Sequence, residues 1–160
     1  EPVRDYVLKR KPINRHSGII ARSMFVNIII NAILIITIVF TQSAFNILGA
    51  TSEEQGTVIF SLFAFSALFN ALNCREFGLN STIPNFFKNK LALQIIVVTG
   101  IIQIIFTQVF QSFFNSVSLD FDMWIKIILF ASTILLSNEF VKLILRTMKN
   151  SRTMNFNSKN

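Results

Sequence analysis

The sequence predicts an all-α membrane protein, with four transmembrane helices in one bundle and both termini in the cytosol. Three observations predict it. The composition is 52% hydrophobic and only 14% charged, with a mean hydropathy of +0.56, whereas soluble domains carry about 25% charged residues. Four apolar runs each approach the length of about 20 residues that a helix needs to cross a bilayer. The cations, finally, gather on one side of those runs. Helices are expected rather than barrel strands because the runs are continuous and do not alternate with period two.

Residues 1–18 read as a cytosolic connector rich in Arg4, Lys9, Arg10, Lys11 and Arg15. The first span is expected at about 19–41, around the run FVNIIINAILIITIVF. The second, at about 57–73, is short and interrupted by polar groups; the third falls at about 91–110 and the fourth at about 123–145. Together residues 19–147 form the transmembrane domain, and 148–160 a polar cytosolic tail that should fray. Gly49 and Gly56 bracket the first outer loop, while Gly78 and Pro84 punctuate the inner one. Asp120 and Asp122 stand where carboxylates suit a helix N-terminus, and Trp124 is expected near the outer interface.

Of the 15 lysines and arginines, 14 lie before or, as Arg22, just inside the start of the first span, between the second and third, or towards the end of the fourth and beyond it. The positive-inside rule makes that side cytosolic. The loop between the first and second spans holds only Glu53 and Glu54, and the other outer loop holds the two aspartates, with Lys126 one turn into the helix. This distribution accounts for the net charge of +7 without nucleic acid. The one cysteine excludes an internal disulfide framework, and with His16 the only histidine there is no Cys/His zinc site. The first 18 residues carry no signal-peptide core, and a chain opening at Glu1 without Met reads as a piece of something longer.

Candidate sites are sparse. Ser66, Asn70 and Asn73 share a face of the second span, where amides either bond to a neighbouring helix or line an ion path. Thr99, Gln103 and Thr107 form a similar stripe on the third span, and Asn27 with Asn31 on the first; these read as packing contacts. Glu139, the one carboxylate within the spans, has Lys142 at ion-pair spacing, so a structural pair competes with an ion ligand. Lys126 can snorkel to the outer interface. Cys74 reads as a small residue at the inner mouth or a palmitoylation site, and the sequon Asn80-Ser81-Thr82 lies on the wrong side for glycosylation. No phosphate-binding glycine loop, nucleophile elbow or paired catalytic carboxylates are visible. The segment itself offers no catalytic, cofactor-binding or metal-ligating residue.

Several ordered phrases go further. The opening EPVRDYVLKRKPINRHSGIIARSM resembles the connector after the sixth membrane helix of P-type ATPases of the calcium-pump class, with Pro2, Val7-Leu8, Arg10, Pro12 and Gly18-Ile19 in the matching places. The second span resembles helix eight through Phe69, Asn70, Leu72 and Asn73. NFFKNKLAL resembles the start of helix nine, and SNEFVKLILR the close of helix ten with Glu139 and Lys142. The resemblance covers residues 1–147 in order and with the same topology. It implies the support part, helices seven to ten, of a pump that hydrolyses ATP through a phosphoaspartate with Mg2+ and exports Ca2+ from the cell. The nucleotide machinery and main ion ligands would belong to membrane helices one to six and the cytosolic domains.

In that frame Asn70 and Asn73 would support the ion path, and Arg10, Pro12, Glu139 and Lys142 would serve structure and coupling. Two-ion relatives place a Glu three residues before the first Asn of helix eight; here Ala67 stands there, and a methyl cannot ligate Ca2+. A single-ion pump of the plasma-membrane type is therefore implied. Val3 and Asn138 also depart from the usual Pro and Asp. The wealth of Ile, Asn, Lys and Phe suggests an AT-rich bacterial source. The alternatives are the same domain of a Na+ or H+ pump, or a standalone four-helix membrane protein serving as a small channel or assembly partner.

Overall fold

The computed structural model describes residues 22–74, 90–114 and 116–157. Among them all regular structure is helical: α1 (Arg22–Phe45), α2 (Gln55–Asn73), α3 (Lys90–Val109), the single turn α4 (Gln111–Phe114) and α5 (Phe121–Asn157). The stretches Met24–Phe45, Gln55–Asn73, Lys90–Val109 and Phe121–Ile144 are each long and apolar enough to cross a membrane. The first helix runs past the expected end at residue 41, because Gln42 continues it as a buried residue and the left-handed Asn46 (φ 44°) stops it. The last helix continues beyond its span to Asn157. At about 1.5 Å per residue its 37 residues exceed the bilayer's hydrocarbon thickness, so the helix is longer than one crossing requires.

α2 is the centre of the bundle. It packs most extensively on α5, then on α1 and α3, while α3 meets no other long helix among the described residues. Val58, Leu62 and Phe65 of α2 bury themselves against Met123, Trp124, Ile127, Ala131 and Ile134 of α5, with Ile38 of α1 closing the core. Phe65 meets Trp124 edge to face at 6.2 Å between centroids. Trp124 is thus a core residue at the outer end of the bundle and not a lipid-interface anchor, because the Phe65 ring covers it. α3 approaches α2 at Gly100, where an added methyl would stand 3.3 Å from the Phe65 ring.

Large apolar side chains elsewhere, such as Ile36, Phe40, Val98, Ile105, Leu129 and Leu136, are exposed and suit a lipid surface. Thr37, Thr41, Thr133 and Thr147 donate their hydroxyls to carbonyls three or four residues back, so these groups need no partner from lipid.

The outer end is tied by side-chain amides acting on loop backbone. Gln42, fully buried, accepts from Leu48 N–H at 3.0 Å and donates to Asn46 Oδ1 at 3.0 Å. Asn46 in turn accepts from Ala50 N–H and donates to the Ala50 carbonyl. Gln108 does the same for the second outer loop, accepting from Leu119 N–H at 3.0 Å and donating to the Leu119 carbonyl at 2.8 Å. Val117 N–H donates to Thr57 Oγ1, pinning that loop to the start of α2. A capping box completes the end: Glu54 accepts from Thr51 N–H and Oγ1–H, and Glu54 N–H donates to Thr51 Oγ1. These bonds hold Glu54's carboxyl below its ordinary pKa.

Candidate functional site at the cytosolic end of the bundle

The start of α1, the end of α2 and the inner part of α5 converge at the positively charged end. Each brings amides because apolar faces there are interrupted at helical spacing: Asn27 and Asn31 four apart on α1, Asn70 and Asn73 three apart on α2, Asn138 and Lys142 four apart on α5. Asn31, Asn73 and Asn138 are 5%, 2% and 4% exposed, and Lys142 is 3% exposed. With Asn27, Cys74 and the apolar Met24 and Ile28, these residues line a cavity of about 20 Å3. Asn73 Nδ2 donates across the helix interface to the Ile134 carbonyl at 3.3 Å, one turn before Asn138. Asn31 Oδ1, Asn73 Oδ1 and Asn138 Nδ2 are buried without a hydrogen-bond partner among the described residues.

Glu139 and Lys142 form an ion pair at 3.9 Å, a loose contact in which the lysine is the more deeply buried partner. A buried ammonium carries a desolvation cost that only its own partners offset. Cys74 caps the end of α2 and is exposed at the mouth, where partial burial raises its thiol pKa against the opposing pull of Lys142. It therefore stays protonated near neutral pH and is a poor nucleophile.

The polar stripe expected on α2 turns inward: Ser66 is fully buried, Asn73 is bound to α5, and Asn70 is half-buried with its oxygen unpartnered. Of the stripe on α3, Thr107 is buried, bonded to the Gln103 carbonyl and amide, whereas Thr99 is exposed. Thr99 and Gln103 instead line, with Ala64, Ala67 and Ala71, a groove of about 290 Å3 between α2 and α3. Lys126 pairs with Asp122 at 2.7 Å on the outer surface. Arg10, Pro12 and the sequon at Asn80 lie outside the described residues. Among the described residues no three His, Cys, Asp or Glu side chains cluster.

Sequence reasoning singled out Asn73, Glu139 and Lys142 but did not join them to Asn31 and Asn138. The signal was present in the spacing of Asn138 and Lys142, which puts both on one face of α5. Gln42 and Gln108 were missed altogether. Each stands in the last turn of a span beside an outer loop, the position from which an amide can cap a turn.

The family described as "Cation transporting ATPase, C-terminus" matches residues 1–144. The chain is 29% identical over 150 residues, 90% of its length, to "Probable calcium-transporting ATPase 6, plasma membrane-type" of Oryza sativa subsp. japonica. It is 30% identical over 138 residues, 78% of its length, to "Plasma membrane calcium-transporting ATPase 1" of Gallus gallus. The protein of the same name from Homo sapiens is 29% identical over 157 residues, 90% of the chain. The chain spans only 15%, 12% and 13% of these relatives respectively. They come from plants and animals and lend no support to a bacterial source.

Proposed function

The chain belongs to the family of cation-transporting ATPase C-terminal domains, and from that membership we propose that it is the membrane support part of a Ca2+-exporting P-type pump. The family match over residues 1–144, together with the similarity to relatives named as calcium-transporting, carries the reading. The pump would reside in the cell membrane, as the plasma-membrane names of those relatives suggest. Its partners are the remaining membrane helices and the cytosolic domains, which supply the ATP and Mg2+ chemistry.

The arrangement suits a support. The outer loops are held by direct bonds, so the bundle offers a fixed reference against which other helices can move. Its polar side chains in the spans are chiefly amides and hydroxyls, which suit ion-path support more than tight Ca2+ binding. Asn70 and Asn73 serve the path from outside the coordination shell, and Glu139 and Lys142, with Arg10 and Pro12, carry coupling to the cytosolic side.

The test is ATP-dependent uptake of radiolabelled Ca2+ into inside-out vesicles holding the full-length protein, together with phosphoenzyme formation. Ca2+-dependent phosphoenzyme and uptake are expected; a phosphoenzyme driven by Na+ or H+ instead would overturn the assignment of the ion. With Ala67 in place of an oxygen donor, the expected ratio is about one Ca2+ per ATP, and a ratio of two would overturn the single-ion reading.

A further inference from the structure

We propose that the cavity where α1, α2 and α5 meet is a binding site for one ordered water molecule, which joins Asn31, Asn73 and Asn138 across three helices. The volume is the first support. About 20 Å3 exceeds the roughly 10–15 Å3 needed to seat a single water. The second support is the set of groups at hand. Among the described residues Asn31 Oδ1 and Asn73 Oδ1 are acceptors without a donor, and Asn138 Nδ2 is a donor without an acceptor. A water has two O–H groups to give and lone pairs to receive. Two amide oxygens and one amide N–H therefore satisfy three of its bonding directions, and it satisfies all three of theirs.

Charge selects water over an ion. Lys142 lines the same cavity, and its ammonium opposes any further cation there. The two amide oxygens oppose an anion, and Glu139 lies 3.9 Å from the ammonium. A neutral molecule that both donates and accepts meets neither objection. Each of the three amides is at least 95% buried, so leaving any of them unbonded would carry a desolvation cost that a single water removes. Asn73 also donates to the Ile134 carbonyl, so the water extends an existing α2–α5 bond to α1.

The primary experiment is a cryo-EM map of the full-length protein in lipid nanodiscs, at a resolution where ordered water is visible. The expected result is one isolated density about 2.7–3.2 Å from Asn31 Oδ1, Asn73 Oδ1 and Asn138 Nδ2. Amides turned to bond one another directly, with no density between them, would overturn the proposal. So would a density at about 2.3–2.6 Å from several oxygens, the distance for Ca2+. A thermal double-mutant cycle supplies an independent readout through Asn31→Leu and Asn138→Leu. Because one water serves both residues, the second substitution should shift the midpoint much less than the first; equal, additive shifts would count against a shared water. If the leucine variants fail to fold, the map of the unmodified protein still decides.

Discussion

The two ends of this bundle use the same side chains in opposite ways. At the outer end Gln42, Asn46 and Gln108 bond directly to loop backbone at 2.8–3.0 Å. At the other end Asn31, Asn73 and Asn138 are buried as Gln42 is, more deeply than Asn46 and Gln108, yet each keeps a polar atom that meets no partner among the described residues. The outer amides replace an ordinary turn and fix chain geometry. The inner ones bring three helices together without closing on one another. The direct bonds place rigidity at one end of the bundle, and the looser polar junction at the other.

The strongest way to break this contrast is Gln42→Ala. It opens a cavity in the core and leaves the Leu48 N–H and Asn46 amide short of a partner. Truncation of a buried side chain with stranded partners should cost about 2–4 kcal/mol. The checks are the thermal midpoint in detergent and faster amide exchange confined to residues 46–50. Unchanged exchange at Leu48 would show that the loop holds without its glutamine. Gln108→Ala asks whether the second clamp is equivalent. Gln108 is only half-buried, so the expected loss is smaller, about 1–2 kcal/mol, with exchange rising at Leu119 and Val117.

At the inner end, substitution of both members of the ion pair sharpens the comparison. Lys142→Met alone removes the cationic member of the 3.9 Å pair and keeps the charge of Glu139. Lys142→Met with Glu139→Gln removes both charges at similar volume. The double variant should be within about 1 kcal/mol of the unmodified protein, and the single one less stable than the double. The order of the thermal midpoints is the quantity to compare. A double variant less stable than the single would mean the pair holds this end together much as Gln42 holds the other.

How much of this was legible depends on range. Helices and topology rest on local hydropathy and on charges outside the spans, both written in consecutive residues; the described residues hold four helices long and apolar enough to cross a membrane. Family membership was carried by short phrases such as Phe69-Asn70 and Glu139 with Lys142. What composition cannot show is which polar groups meet across helices. Asn31 and Asn138 are more than a hundred positions apart, and nothing local to either says that both line one cavity with Asn73. Trp124 failed for a related reason: interfacial preference is a property of tryptophan in general, while its burial depends on Phe65 arriving from another helix.

The mildest prediction concerns the capping box, where direct bonding at the outer end can be titrated. Glu54 accepts from both the N–H and the hydroxyl of Thr51, and these bonds favour its charged form, so its folded pKa lies below its unfolded value. A carboxyl with a depressed folded pKa contributes stability that is fully present above the unfolded value of about 4.3 and fades as pH falls through the folded one. Above that window Glu54→Gln should lower the thermal midpoint slightly, because a neutral acceptor replaces a charged one. Below it the two proteins should converge, since the protonated acid has lost the same advantage. A difference that persisted through the acid limb would place the effect of Glu54 elsewhere than in its charge. The local check is amide exchange at Gln55 and Val58, the first α2 residues with bonds back into this turn. If their protection falls with pH in the unmodified protein and not in the variant, the outer end owes part of its rigidity to one ionised side chain.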